Sequence, residues 1–154
     1  MRSLVLAAAA GAAMVTAAAA QLRPEQAADT IRSRQANYKQ MAAAMKGINN
    51  QLHGSSPSIG EIRRSSAVIA RFAPLVLRWF PRGSGAEAGV RTRALPAIWA
   101  DPAGFRRAGA GLLVAARGLD GAARRGDVAA IRAAATQVSR ACANCHDDFR
   151  GPEQ

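Results

Sequence analysis

The sequence predicts an all-α protein, an up-down-up-down antiparallel four-helix bundle, and three observations carry that prediction. Four segments repeat apolar residues at alternating spacings of three and four, the period of one helix face. No segment alternates apolar and polar residues with period two over the length of a strand. The segments are joined by mostly short links rich in Gly, Pro and Ser, which favours antiparallel neighbours.

The first helix is predicted from Pro24 to Leu52, with Ile31, Tyr38, Met41, Met45, Ile48 and Leu52 on its apolar stripe. Arg34 falls on the same stripe, between Ile31 and Tyr38. His53-Gly54-Ser55-Ser56-Pro57 ends it. The second helix is predicted from Ser58 to Phe80, with Ile62, Ile69, Phe72, Val76 and Trp79 on one face, and Pro81-Arg82-Gly83-Ser84-Gly85 breaks it. A longer connection containing Ile98 and Trp99 runs to Ala100. Asp101-Pro102 then supplies an N-cap and a proline at the first helical position. The third helix is predicted to run to Leu119, presenting Phe105, Gly109, Leu112 and Ala116, with Gly121 and Gly126 framing the next turn. Asp127 caps a fourth helix, Val128 to Phe149, whose stripe is Val128, Ile131, Ala135, Val138, Cys142, Cys145 and Phe149.

Residues 1–20 read as a secretory signal peptide. Met1-Arg2 is a short basic start, Leu4 to Val15 an apolar stretch, and Ala18-Ala19-Ala20 offers small residues for cleavage before Gln21. A membrane-spanning anchor is the weaker reading, because the stretch is mostly Ala and barely long enough. The remainder, 21–154, is long enough for one domain with one core. Export to a bacterial periplasm is the expectation. The formal charge is +11. Only Lys39 and Lys46 are lysines among 21 Lys and Arg residues. Nucleic-acid binding would suit that charge, but aromatic residues make up only 5% and no nucleic-acid motif occurs. The basicity instead fits attraction to acidic partners or an anionic surface.

The chemistry is concentrated in Cys142-Ala143-Asn144-Cys145-His146, which holds both cysteines and one of the two histidines. C-x-x-C-H is the attachment motif of a c-type haem. Two thiols add across the two vinyl groups of one porphyrin, and the adjacent imidazole reaches the iron. Positions i, i+3 and i+4 share a helix face, so all three side chains point one way. A thioredoxin-like site would follow a strand, a zinc site needs two further ligands, and a Cys142–Cys145 disulfide would strain a helix. One covalently bound haem c per chain, inserted in the bundle core, is therefore expected.

If the first helix packs beside the last, its inward residues, Arg34, Tyr38, Met41 and Met45, are the candidates for the other face of the iron. A charge on an apolar stripe needs a partner, so Arg34 is read as pairing with a haem propionate. The alternative is a side chain snorkelling to water. Arg150, one turn beyond His146, either shields the proximal haem face, meets a propionate, or is a solvated C-terminal residue. His53 lies about 22 Å along a helix from Tyr38 and is read as a loop histidine.

These residues resemble the cytochrome c′ family, the high-spin branch of class II c-type cytochromes. The resemblance rests on Arg34-Gln35 with Tyr38 three residues on, on Leu95-Pro96-Ala97-Ile98-Trp99-Ala100-Asp101, on Gly126-Asp127, and on Cys142 to His146 followed by Phe149-Arg150. It implies five-coordinate iron held by His146 alone, with Arg34 at a propionate, Arg150 on the proximal side and Tyr38 facing the vacant position. It further implies NO and CO as ligands, electron transfer or nitric oxide buffering, an unnamed redox partner, and a homodimer through the first two helices. Low-spin relatives place Met where Tyr38 stands. Met41, three residues along the same face, could replace it and make the protein an outer-sphere electron carrier. No distal His or carboxylate is evident to serve acid-base catalysis, so an enzyme is not expected.

Overall fold

Long helices form where the apolar residues recur at helical spacing. The computed structural model describes residues 22–152, so the predicted signal peptide lies outside the described residues. α1 spans Pro24–His53 and opens with proline in its first turn. Its buried residues are Ala27, Ile31, Arg34, Met41, Ala44, Ile48 and Leu52, the predicted stripe with Ala27 and Ala44 added and with Tyr38 and Met45 only half-buried. α2 spans Ile59–Phe72 and is capped by the Ser58 hydroxyl, which accepts from Glu61 N.

The second helix was expected to reach Phe80, but its α-geometry ends at Phe72 and Ala73–Trp79 continues as a 3₁₀ helix. Pro74 explains the change. It offers no N–H to the Ala70 carbonyl and its ring crowds that carbonyl. The tighter winding buries Val76 and leaves Trp79 half-buried at the end of the bundle. The connection that follows holds a single 3₁₀ turn, Ala86–Ala88, and a short unpredicted helix, α3, Ala97–Ala100.

α4 spans Pro102–Arg125, with the Asp101 carboxylate accepting from Gly104 N at 2.8 Å. It passes the predicted end at Leu119, because Gly121 stays helical. The stop is Gly126, left-handed at φ 78°, a conformation glycine adopts without a Cβ penalty. Arg63 on α2 adds a second cap, donating to the carbonyls of Ala123 and Arg124 at 2.9 Å each. α5 spans Val128–Phe149 as predicted, and Asp127 Oδ1 accepts from Ala130 N at 3.0 Å.

α1, α2, α4 and α5 form the four-helix bundle. Ile48, Ile62, Ile69, Leu119, Ile131 and Val138 are fully buried in its main core, each contributing about 1.5–3 kcal/mol of hydrophobic stabilisation. A second cluster, Ile98, Phe105 and Phe149, sits at one end against Phe80, Trp99 and Cys145. Here the chain's end is tied to the connection. Ala94 and Arg150 form an antiparallel bridge, Leu95 N donates to Phe149 O, and Gly151 N donates to Arg93 O. No described helix is long and apolar enough to cross a membrane.

Candidate haem site

Between α1 and α5 lies a cavity of ≈ 910 Å³, at the upper end of the range for small-molecule sites. α1 contributes Arg34, Tyr38, Met41 and Met45. α5 contributes Val138, Cys142, Cys145, His146, Phe149 and Arg150. Ile69, Val76, Phe105 and Leu112 line the interior, and Phe80, Thr92, Arg93 and Ile98 close one end. All the site residues predicted from the sequence are thus brought to one cavity. His53 is not among its lining residues; it ends α1 and is exposed.

On the α5 wall both thiols are free and half-buried. Burial pushes the Cys142 thiol above its ordinary pKa. Burial, then neighbouring Cys142 and Asp148, pushes Cys145 up to about 11, so both sulfurs carry protons at neutral pH. His146 is shifted the other way. Burial, then the cations of Arg150 and Arg93, hold its pKa below the usual imidazole value, against a smaller pull from Asp147. A neutral imidazole with a lone pair is the form that ligates a metal. Arg150 is not a frayed end. Its Nη1 lies 3.3 Å from His146 Nδ1 and its backbone N donates to His146 O at 3.1 Å.

On the α1 wall Arg34 is only 3% exposed, which excludes the snorkelling alternative. Its Nη1 donates to Ser84 Oγ at 2.9 Å and its Nη2 to Thr92 Oγ1 at 2.8 Å, with a longer approach to Trp79 O at 3.5 Å. The guanidinium lies over the Phe80 ring, 4.6 Å from its centre. These acceptors are all neutral oxygens. Burial lowers the Arg34 pKa, offset only in part by Tyr38 and Glu87. A buried cation held this way can accept an anionic group from a bound molecule. Tyr38 packs edge-on to Trp79 with ring centres 5.2 Å apart, and against Phe80 at 6.3 Å. Burial, aided by Cys145, raises its pKa well above the ordinary phenol value despite the opposing Arg34 charge. Burial thus keeps it a neutral phenol. Met41 is 6% exposed and also lines the cavity.

Sequence reasoning missed Phe80, Ser84, Thr92 and Arg93. Phe80 ends the second predicted helix, the other three lie in the non-periodic connection, and their partners are distant in sequence. Gln35 Nε2 also reaches that connection, donating to Arg91 O at 2.9 Å. Arg93 Nε donates to Gly151 O at 2.7 Å, fixing it beside the end of α5.

The residues present fit a haem. The interior is apolar, no Asp or Glu among the described residues lines the cavity, cations stand at its edges, and two thiols and an imidazole share one wall. A four-helix bundle carrying C-x-x-C-H on its last helix, over an apolar cavity of this size, defines a class II c-type haem protein. The family profile of cytochrome c′ matches residues 29–150. The cytochrome c′ of Rubrivivax gelatinosus is 32% identical over 123 residues, covering 79% of this chain and 94% of the relative. The crystal structure of cytochrome c′ from Thermochromatium tepidum superposes with a TM-score of 0.75 at 30% identity, covering 86% of this chain and all of that one. A ferrous variant of Alcaligenes xylosoxidans cytochrome c′ with bound NO gives a TM-score of 0.73 at 26% identity, covering 85% of this chain and 98% of that one. The chain belongs to the cytochrome c′ family, whose members bind haem c.

Proposed function

We propose that this is a periplasmic c-type haem protein with five-coordinate, high-spin iron that binds small diatomic gases, NO and CO, and/or passes electrons. Cys142 and Cys145 would hold one haem covalently, each S–H adding across a vinyl group. His146 would be the axial ligand, Arg34 would meet a propionate, and Arg150 would stand on the proximal side. When bound, the haem supplies an iron centre that takes a diatomic ligand or changes oxidation state by one electron. The chain's own residues set what reaches it. Tyr38, Phe80, Phe105 and Leu112 make the interior apolar, which favours small uncharged ligands over water and ions.

The observation that carries this reading is Tyr38 on the wall opposite His146. It is a half-buried neutral phenol with no thioether to offer, held by Trp79 and Phe80. The NO-bound Alcaligenes xylosoxidans relative supports gas binding by analogy. Among the described residues no histidine or carboxylate shares the α1 wall with Tyr38, and the proposal is a carrier rather than an enzyme. Periplasmic location rests on the export signature of 1–20. A homodimer through α1 and α2 rests on the family likeness, and sedimentation of the purified protein tests it.

Met41 favours one second reading. Buried and lining the cavity, it could give a low-spin His146/Met41 electron carrier. Visible spectra of the ferric and ferrous holoprotein, with and without CO, decide between the two. High-spin bands that shift on adding CO support the gas-binding reading. Sharp low-spin ferrous bands indifferent to CO assign the sixth position to Met41.

A further inference from the structure

The cavity opens to solvent between an exposed row on α1 and an exposed row on α5. Lys39, Ala42 and Lys46 form the α1 lip, and Ala143 stands in the middle of the α5 lip with Arg150 beyond it. Arg93 closes the end. Four of these six side chains are cationic, and among the described residues none that lines the cavity is acidic. The two in the centre are alanines, so nothing bulky stands over the opening. The type of cation is also selective. Lys39 and Lys46 are the only lysines in a chain with 21 Lys and Arg residues, and both stand on this lip. Elsewhere, some exposed arginines pair with acids, namely Arg32 with Asp29, Arg64 with Glu61 and Arg124 with Asp120. Lys39 and Lys46 make no hydrogen bond or ion pair among the described residues. A lysine is a compact, strongly hydrated point charge on a flexible stem. It suits brief, long-range attraction better than a fixed bidentate contact.

We infer that this lip is the docking face for an acidic one-electron carrier protein, which exchanges its electron with the haem through the gap between Ala42 and Ala143. The inference rests on the haem-protein reading above. One electron leaves the reduced partner, which is oxidised by one unit, and the iron goes from ferric to ferrous. No bond or proton moves. The cations steer the encounter, and the small lip residues let the partner approach closely. Steering of this kind raises association rates by about 10- to 1,000-fold and fades as salt screens it.

The test uses the holoprotein with reduced flavodoxin, a small acidic FMN protein, as the probe. Binding is measured by calorimetry and reduction by stopped flow, at low and high ionic strength. K39E/K46E is compared with R106E/R117E, which reverses the same charge at exposed positions on α4. K39Q/K46Q stands in if the Glu pair fails to fold. The inference requires a fall of about tenfold or more in both affinity and rate for K39E/K46E at low salt. It also requires convergence with wild type at high salt, and a change within about twofold for R106E/R117E. Equal effects from both pairs overturn it, because net charge would then suffice. No effect from either overturns it. So does loss of binding to phosphatidylglycerol vesicles alone with flavodoxin unaffected, since the lip would then face a membrane. The CO spectra remain a separate readout, so failure of this inference is distinguishable from failure of the haem-protein reading.

Discussion

Replacing Arg34 with Met tests the most unusual polar group in the bundle. The substitution keeps a long apolar stem and removes the guanidinium. Two short hydrogen bonds disappear, to Ser84 and Thr92, together with the contact over Phe80. Hydrogen bonds to charged groups contribute about 1.5–3 kcal/mol each, and a partly desolvated cation–π contact about 0.5–2 kcal/mol. Two considerations reduce the sum. Both hydroxyls keep a partner, since Ser84 Oγ still donates to Pro81 O at 2.8 Å and Thr92 Oγ1 still accepts from Ala94 N at 3.2 Å. The cost of burying the cation, visible in its lowered pKa, is also relieved. The expected net loss is about 2 kcal/mol, roughly 5–10 °C in Tm for a chain of this size. Arg34→Lys should lose most of the same amount, because one ammonium cannot match both hydroxyls with the fork geometry. Guanidinium denaturation of the ferric holoprotein, followed by far-UV circular dichroism, measures both. If either variant is as stable as wild type, the clasp between α1 and the 84–92 segment does not hold the fold as argued.

Substitutions at three other positions probe the site and its supports. Arg150→Gln removes a cation that lowers the His146 pKa, so the imidazole becomes easier to protonate. In an acid titration of the visible spectrum, loss of the axial bond should move to higher pH; a shift to lower pH, or none, contradicts the assignment. Tyr38→Ala should speed CO association about tenfold by relieving some 1–2 kcal/mol of crowding, while Tyr38→Phe should change it little, because the hydroxyl makes no hydrogen bond within the described chain; flash photolysis reads both. Gly126→Ala puts a Cβ on a residue at φ 78° and should cost about 1–2 kcal/mol in chemical unfolding, with the haem spectrum unchanged.

The bundle and the helical half of the site were legible because both are periodic. Cys142, Cys145 and His146 announce themselves by spacing, and Arg34 and Tyr38 by interrupting an apolar stripe. The α5 boundaries followed from Asp127 and the unbroken stripe up to Phe149. Misreadings arose where periodicity and backbone geometry part. The apolar stripe of the second helix continues through Val76 and Trp79, so the 3₁₀ winding after Pro74 was not visible in the pattern. At the end of α4, Gly121 and Gly126 looked equivalent in sequence, and only the left-handed φ of Gly126 separates them. Ser84, Thr92 and Arg93 were illegible for another reason. A hydroxyl 50 or 58 residues from its guanidinium leaves no local trace.

The tether between the 93–95 segment and residues 149–151 alters how the last turn of α5 should move. Helix ends ordinarily fray, and the final residues of a chain are commonly its loosest part. Here His146 sits within a turn of such an end, yet Gly151 beyond it is buried and its amide is bonded across the molecule at 2.8 Å. The imidazole proposed to hold the iron is therefore carried on a clamped helix end. Amide exchange at Leu95 and Gly151 should be slow, and opening of that pair should be coupled to rupture of the axial bond rather than to random fluctuation of a tail.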